Sequence, residues 1–230
     1  MKESIYTIPI SEVFEPKQGC PLCALAEALD TRWVQYITGA AMMEPDVRVR
    51  TNEEGFCSRH LSGMLAQRNR LSVALLLQTR LEYLLARLDP SPAAAWGRKK
   101  PAVLPSGCFV CNRVESELNR LADNLVAVWA RESVFRQLYA DQEYLCVPHH
   151  RLLSGAAEKL RGADRTRFLA ETTALARQGL APAKEDVDAF CRLFDYRSNN
   201  TGQPSRQVST AVERAARLLC GSWDGNISDT

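Results

Sequence analysis

The sequence predicts an all-α fold built from two tandem helical units. Three observations carry this. Apolar residues recur at spacings of three and four, the signature of one-faced helices. No run of alternating β-branched residues marks a strand. The chain also writes one cysteine/histidine pattern twice: "CPLC" at Cys20 and Cys23 with "CSRH" at Cys57 and His60, then "CFVC" at Cys108 and Cys111 with "CVPH" at Cys146 and His149. The first pair shifts by 88 residues and the second by 89, so a single inserted residue reconciles the halves. This predicts an internal duplication, each half closed by its own Cys3His site.

In the first unit, residues 1–88, Leu22, Leu25, Leu29, Trp33 and Ile37 form one apolar stripe. Pro21 suits a first helical turn and Gly39 a stop. A short helix over Pro45–Asn52 precedes "EEGFC", a third starts near Ser58, and a long one follows, its stripe running through Leu71, Ala74, Leu75, Leu81, Leu84 and Leu85. The segment 89–107, "DPSPAAAWGRKKPAVLPSG", holds four prolines and two glycines and reads as a linker.

The second unit, residues 108–180, repeats the plan. Val110, Val114, Leu118, Leu121, Leu125 and Val128 form the stripe, with Trp129, like Trp33, expected in the core. "ESVFRQLYAD" is the short helix, and the third starts at Pro148. Residues 181–230 supply C-terminal helices: "KEDVDAFCRLFDYR", amphipathic through Val187, Phe190, Cys191 and Phe194, then the polar loop "SNNTGQPS" and a helix through Val208, Ala211, Val212, Ala215 and Leu219. The tail "SWDGNISDT" is expected to fray.

A composition of 46% hydrophobic and 24% charged residues is that of an ordinary globular protein. A net charge of +2, with arginines spread among acidic residues, gives no sign of a nucleic-acid partner. No apolar run approaches the roughly 18 residues of a membrane span. "MKESIYTIPISEVFEPK" lacks the apolar core of a signal peptide, so a cytoplasmic location is expected. In a reducing compartment, paired cysteines point to metal or redox chemistry rather than to disulfides.

Zinc in structural sites takes four ligands, commonly Cys3His, in a tetrahedron. Two ligands at i and i+3 on a first helical turn lie on one face, and two such helix starts facing each other supply all four. Three thiolates on Zn²⁺ leave about one negative charge, partly offset by the helix N-termini. The eight expected ligands are Cys20, Cys23, Cys57, His60, Cys108, Cys111, Cys146 and His149, holding two zinc ions per chain; His150 is the alternative to His149. An iron–sulfur cluster is the lesser alternative. Haem attachment needs histidine directly after the second cysteine, where Ala24 and Asn112 stand. No strand precedes either pair, as a thioredoxin-like motif requires. His60 and His149 lack the His-x-Glu of zinc deaminases. Loops of 33 and 34 residues far exceed the spacing of a C2H2 finger. Cys191 and Cys220 have no counterparts in the repeat and read as buried small apolar residues on helix faces. Of the two, Cys220 beside Gly221 is expected to be the faster thiol.

The segments "YTIPISEVFE", "CPLC", "DVRVRTNEEGFCSRH", "NRLSVALLLQT", "CFVC", "CVPH" and "FDYR" resemble a bacterial family of unknown function, the one numbered 6062, which carries two Cys-x-x-Cys/Cys-x-x-His units. The resemblance covers residues 1 to about 220 and implies a bacterial cytosolic protein, with no reaction attached. No Ser/His/Asp set, phosphate loop or carboxylate-rich metal motif stands out, and four ligands per site leave no open position for substrate. The reading therefore leans away from an enzyme. It favours a zinc-stabilised interaction or scaffold protein with an unidentified protein partner. The alternative is a thiol-based redox or metal sensor that releases zinc on oxidation.

Overall fold

A computed structural model of the chain describes residues 8–88, 104–194 and 205–221. Among these every regular element is helical. They are α1 (Ile8–Phe14), α2 (Pro21–Thr38), a 3₁₀ turn (Ala40–Met43), α3 (Pro45–Glu54), α4 (Ser58–Ala66), α5 (Arg70–Leu88), α6 (Phe109–Arg131), α7 (Ser133–Ala140), α8 (Val147–Ala156), a second 3₁₀ turn (Ala157–Lys159), α9 (Gly162–Leu193), α10 (Arg206–Ser209) and α11 (Ala211–Cys220). Most of the expected linker, the polar loop before Ser205 and the tail after Gly221 lie outside the described residues.

The chain forms two compact units that interleave in sequence. A flanking unit combines Met1–Glu27 with Leu118–Thr230, and a middle unit spans Ala28–Glu117. The unit boundaries fall within α2 and α6, so each of these helices contributes residues to both.

The core of the flanking unit is aromatic. Trp129 meets Phe168 edge-on at 5.0 Å, Tyr139 stacks on Phe168 at 5.3 Å, and Phe14 packs on Phe135 at 5.4 Å. All are fully or nearly fully buried, and such pairs add about 0.5–1.5 kcal/mol each beyond area burial. The polar tips are satisfied: Trp129 Nε1 donates to Glu171 at 3.0 Å, and Tyr139 Oη bonds Thr172 Oγ1 at 2.8 Å. The α9 helix runs unbroken for 32 residues with Pro182 inside it, so the segment expected to open the C-terminal helices at 181 is the last third of α9. The α10 helix is capped by Ser205, whose hydroxyl accepts from the Val208 N–H.

The middle unit buries Val34, Ile37, Met64, Leu76, Phe109 and Val110 around one apolar cluster, with Trp33 at its margin. Here one sequence expectation is corrected. On α5 the buried residues are Ser72, Val73 and Leu76, whereas Leu71, Leu81 and Leu85, expected to face the core, are exposed. The helix is apolar on nearly every side, so its periodicity does not say which face packs inward.

Candidate metal centres

All four motifs stand at helix starts. Cys57 and Cys146 are the N-cap residues of α4 and α8, with nearly the same backbone: φ −76°, ψ 165° and φ −73°, ψ 161°. Their carbonyls accept the first helical bonds, from Leu61 at 2.9 Å and His150 at 2.8 Å. Cys20 and Cys108 hold the equivalent place before α2 and α6, their carbonyls accepting from Ala24 at 3.3 Å and Asn112 at 3.1 Å. Each second ligand follows one turn in, on the same face. The positive ends of the helix dipoles thus point at sulfur, which favours thiolate.

In the flanking unit Cys20, Cys23, Cys146 and His149 converge, with every ligand atom within 4.8 Å of the others. His149 Nδ1 lies 3.4 Å from Cys20 Sγ, 3.4 Å from Cys23 Sγ and 3.0 Å from Cys146 Sγ; Cys23 and Cys146 sulfurs are 3.6 Å apart. The turns that present these ligands are tied to each other. Gly19, at φ +65°, a conformation that favours glycine, donates its N–H to Glu143 Oε2 at 2.6 Å. Gln142 Nε2 donates to the Phe14 carbonyl at 2.8 Å.

In the middle unit Cys57, His60, Cys108 and Cys111 form the second group under the same 4.8 Å limit. His60 Nδ1 lies 3.2 Å from Cys57 Sγ, 3.1 Å from Cys108 Sγ and 3.4 Å from Cys111 Sγ. Cys57 and Cys111 sulfurs are 3.9 Å apart. The Phe109 N–H donates to the Gly55 carbonyl at 2.9 Å, joining the two ligand-bearing turns directly. Arg80 reinforces the junction, its guanidinium donating to the Asn52 carbonyl and to the Pro105 carbonyl at 2.7 Å.

The eight expected ligands are therefore brought together, but not in the expected partnership. Each group takes its Cys-x-x-Cys from one half of the sequence and its Cys-x-x-His from the other. The expectation that each half closes its own site is overturned. Loop closure had favoured the local pairing only weakly. Extending the loop from about 34 residues to about 123 costs roughly 1 kcal/mol more, an amount one packed aromatic contact offsets. His149 is the member of the histidine pair within the group, while His150 is half-buried beside Thr173.

A tetrahedral zinc with bonds of about 2.3 Å to sulfur and about 2.0 Å to nitrogen has edges of about 3.8 Å (S···S) and about 3.6 Å (S···N). The sulfur pairs at 3.6 and 3.9 Å match the first, and the sulfur–nitrogen separations, 3.0 to 3.4 Å, fall inside the second. A disulfide, at about 2.05 Å, is far from either geometry, and all eight cysteines are free.

The model of DUF6062, a family of unknown function, matches residues 1–226. The chain belongs to this family. No curated protein and no solved structure matches it. In this DUF6062 member the roles of individual residues therefore rest on their geometry.

Without metal, the two groups are proton-sharing clusters. In the middle centre burial pushes the Cys108 thiol up, but the hydrogen bond with His60 and those with its neighbouring cysteines outweigh this and lower it to about 6. Burial likewise opposes the His60 imidazolium, yet Cys108 and Asp30 raise it to about 9. Burial and the Cys108 thiolate push Cys111 up to about 12. In the flanking centre, hydrogen bonds with Cys146 and Cys23 hold Cys20 far below the usual thiol range, and hydrogen bonds with Cys20 and Cys23 push Cys146 far above it. His149 rises to about 9, burial opposing and Cys20 and Cys23 prevailing. At neutral pH a metal ion must expel the imidazolium proton and the remaining thiol protons, so binding weakens as pH falls.

One residue beside the middle centre, Asp30, escaped the sequence reading. His60 is 1% exposed, and its Nε2 lies 2.6 Å from Asp30 Oδ1. Arg59 bonds the same carboxylate oxygen at 2.9 Å. With Nδ1 turned to the sulfurs, Nε2 carries the proton and donates it to Asp30, fixing the tautomer and ring orientation. Asp30 sits on α2, and no sequence motif connects it with His60. Eighty-eight residues on, the offset between the two Cys-x-x-Cys motifs, stands Leu118. Asp30→Asn is thus expected to weaken metal binding at the middle centre alone, by about 10–100-fold. A competition titration against a chelator should show one ion of two shifting. Equal affinities in variant and wild type would reduce Asp30 to an ordinary surface ion pair with Arg59.

The two remaining cysteines, Cys191 and Cys220, are both exposed. This corrects the expectation that both are buried: Cys191 lies on the solvent side of α9 and Cys220 at the exposed end of α11.

Proposed function

We propose that the chain is a two-site zinc protein in which both ions are structural, each closing one helical unit that serves as an interaction or scaffold module. The observation that carries this reading is the convergence of four soft ligands, three thiols and one imidazole nitrogen, within 4.8 Å of one another in each unit. Four protein ligands leave no open position for a catalytic water or a substrate. Thiolate-rich tetrahedral sites suit zinc, with an iron–sulfur cluster as the other soft-ligand option. No helix among the described residues is long and apolar enough to cross a membrane, and a reducing compartment such as the cytoplasm keeps the ligand thiols available.

Elemental analysis of purified protein is the test. Two zinc ions per chain are the expected result. Folded protein with neither zinc nor iron would end the metal reading, and iron with acid-labile sulfide would replace zinc by clusters.

A second reading, release of zinc on oxidation, is favoured by one contact. A side chain at Gly221 would come within 3.9 Å of both the Cys23 and Cys146 sulfurs. Cys220, the residue before Gly221, is exposed; with peroxide as the two-electron oxidant, a disulfide between its sulfur and that of Cys23 or Cys146 would form with loss of both thiol protons and take a ligand from the ion.

A further inference from the structure

The α5 helix carries a second apolar face that its own unit leaves uncovered. Leu71, Ala74, Gln78, Leu81, Leu85 and Leu88 follow one another at spacings of 3, 4, 3, 4 and 3. All six are exposed, the four leucines at 67%, 59%, 67% and 53% in chain order. The residues buried in the unit, Ser72, Val73 and Leu76, lie on the opposite side. An alternation of 3 and 4 is the a/d seam of a coiled coil, narrower than the stripe of a helix packed on a globular core.

We propose that this seam pairs with α5 of a second copy of the chain, making a two-fold dimer. The seam is complementary to itself when the helices run antiparallel. Leu71 then meets Leu88 of the second copy, small Ala74 meets large Leu85, and Gln78 meets Leu81, so that knobs face holes along the full length. The parallel arrangement sets Ala74 against Ala74 and leaves a gap, and it aligns the two helix dipoles unfavourably. An isologous contact of this kind closes after two copies and exposes no further seam. Leu75, Leu77 and Leu84, half-buried along the margins, widen the apolar strip. The 19-residue helix is about 28 Å long and the contact about 10 Å wide, roughly 300 Å² in projection. This is small beside the ~800 Å² per partner of a standard interface, so the dimer is expected to be reversible and concentration-dependent. The proposal extends the interaction-module reading by naming a partner, and it stands on α5 rather than on the metal centres.

Sedimentation of the full metal-loaded chain at about 1 and about 100 μM is the test, with metal content measured on the same samples. A shift toward 51 kDa, twice the 25.7 kDa chain mass, is expected at the higher concentration. Leu81→Glu with Leu85→Glu should hold the protein at the monomer mass while keeping its metal content and far-ultraviolet circular dichroism. Wild-type protein that stays monomeric at about 100 μM overturns the dimer even if both ions are bound. A dimer that survives the double substitution removes α5 as its seam. Loss of metal with dimerisation intact would count instead against the structural-zinc reading.

Discussion

Stripping both metal ions is expected to dissolve the fixed tertiary structure while leaving much of the helix content. Structural zinc contributes an apparent ~10–16 kcal/mol in small zinc domains, against ~5–15 kcal/mol for the whole stability of a typical domain. Here the ligands are part of the cores they close. Cys20 and Cys146 lie inside the flanking cluster with Cys23 packed on it, and Cys108 lies inside the middle cluster beside Cys57 and Cys111. Removing the ion leaves thiols and an imidazolium buried at each centre, sharing protons among themselves in place of a metal bond. Trp129 and Tyr139, fully buried in the flanking core, should lose their rigid surroundings, flattening the near-ultraviolet circular dichroism. Long helices persist more readily: α9 carries its own i,i+4 ion pairs, Arg167 with Glu171 and Lys184 with Asp188. A loss of even ~5 kcal/mol lowers the melting temperature by about 10–20 °C in a chain of this size, and loss of cooperativity is the expected extreme. Chelated, metal-free protein that melts as before would show that the ions are not structural.

The local structure was legible because each helix start carries its own chemistry. Pro21 and Pro45 mark first turns, and the observed α3, Pro45–Glu54, extends the expected helix by two residues. The α8 helix begins at Val147, one residue before the expected Pro148. The ligand identities followed from the same signals, since i,i+3 pairs at helix starts share a face whatever they bind.

What the sequence could not express was partnership. Two copies of the same motif set offer two pairings with the same local geometry, and loop entropy separates them by roughly 1 kcal/mol. The choice is made by packing: Phe14, Phe135 and Tyr139 bring the start of the chain onto the second half, and Trp33 meets Phe109 edge-on at 5.9 Å within the middle unit. Asp30 was hidden because no motif marks it; its bond to His60 is a product of tertiary packing. The orientation of α5 was illegible for another reason. With leucine on nearly every side, the residues that decide its inward face are Ser72, Val73 and Leu76, and a serine does not advertise a core position.

The crossed pairing is tested most directly by counting metal in two double variants, equilibrated with a competing chelator. Cys23→Ser with Cys146→Ser removes two ligands from the flanking centre and none from the middle one. Cys23→Ser with Cys57→Ser removes one from each. Serine keeps the size of the side chain but gives up the thiolate on which the site depends. The expected result is one ion per chain in the first variant and none in the second. One ion in the second variant and none in the first would mean that each half closes its own site, and would contradict the crossed arrangement outright.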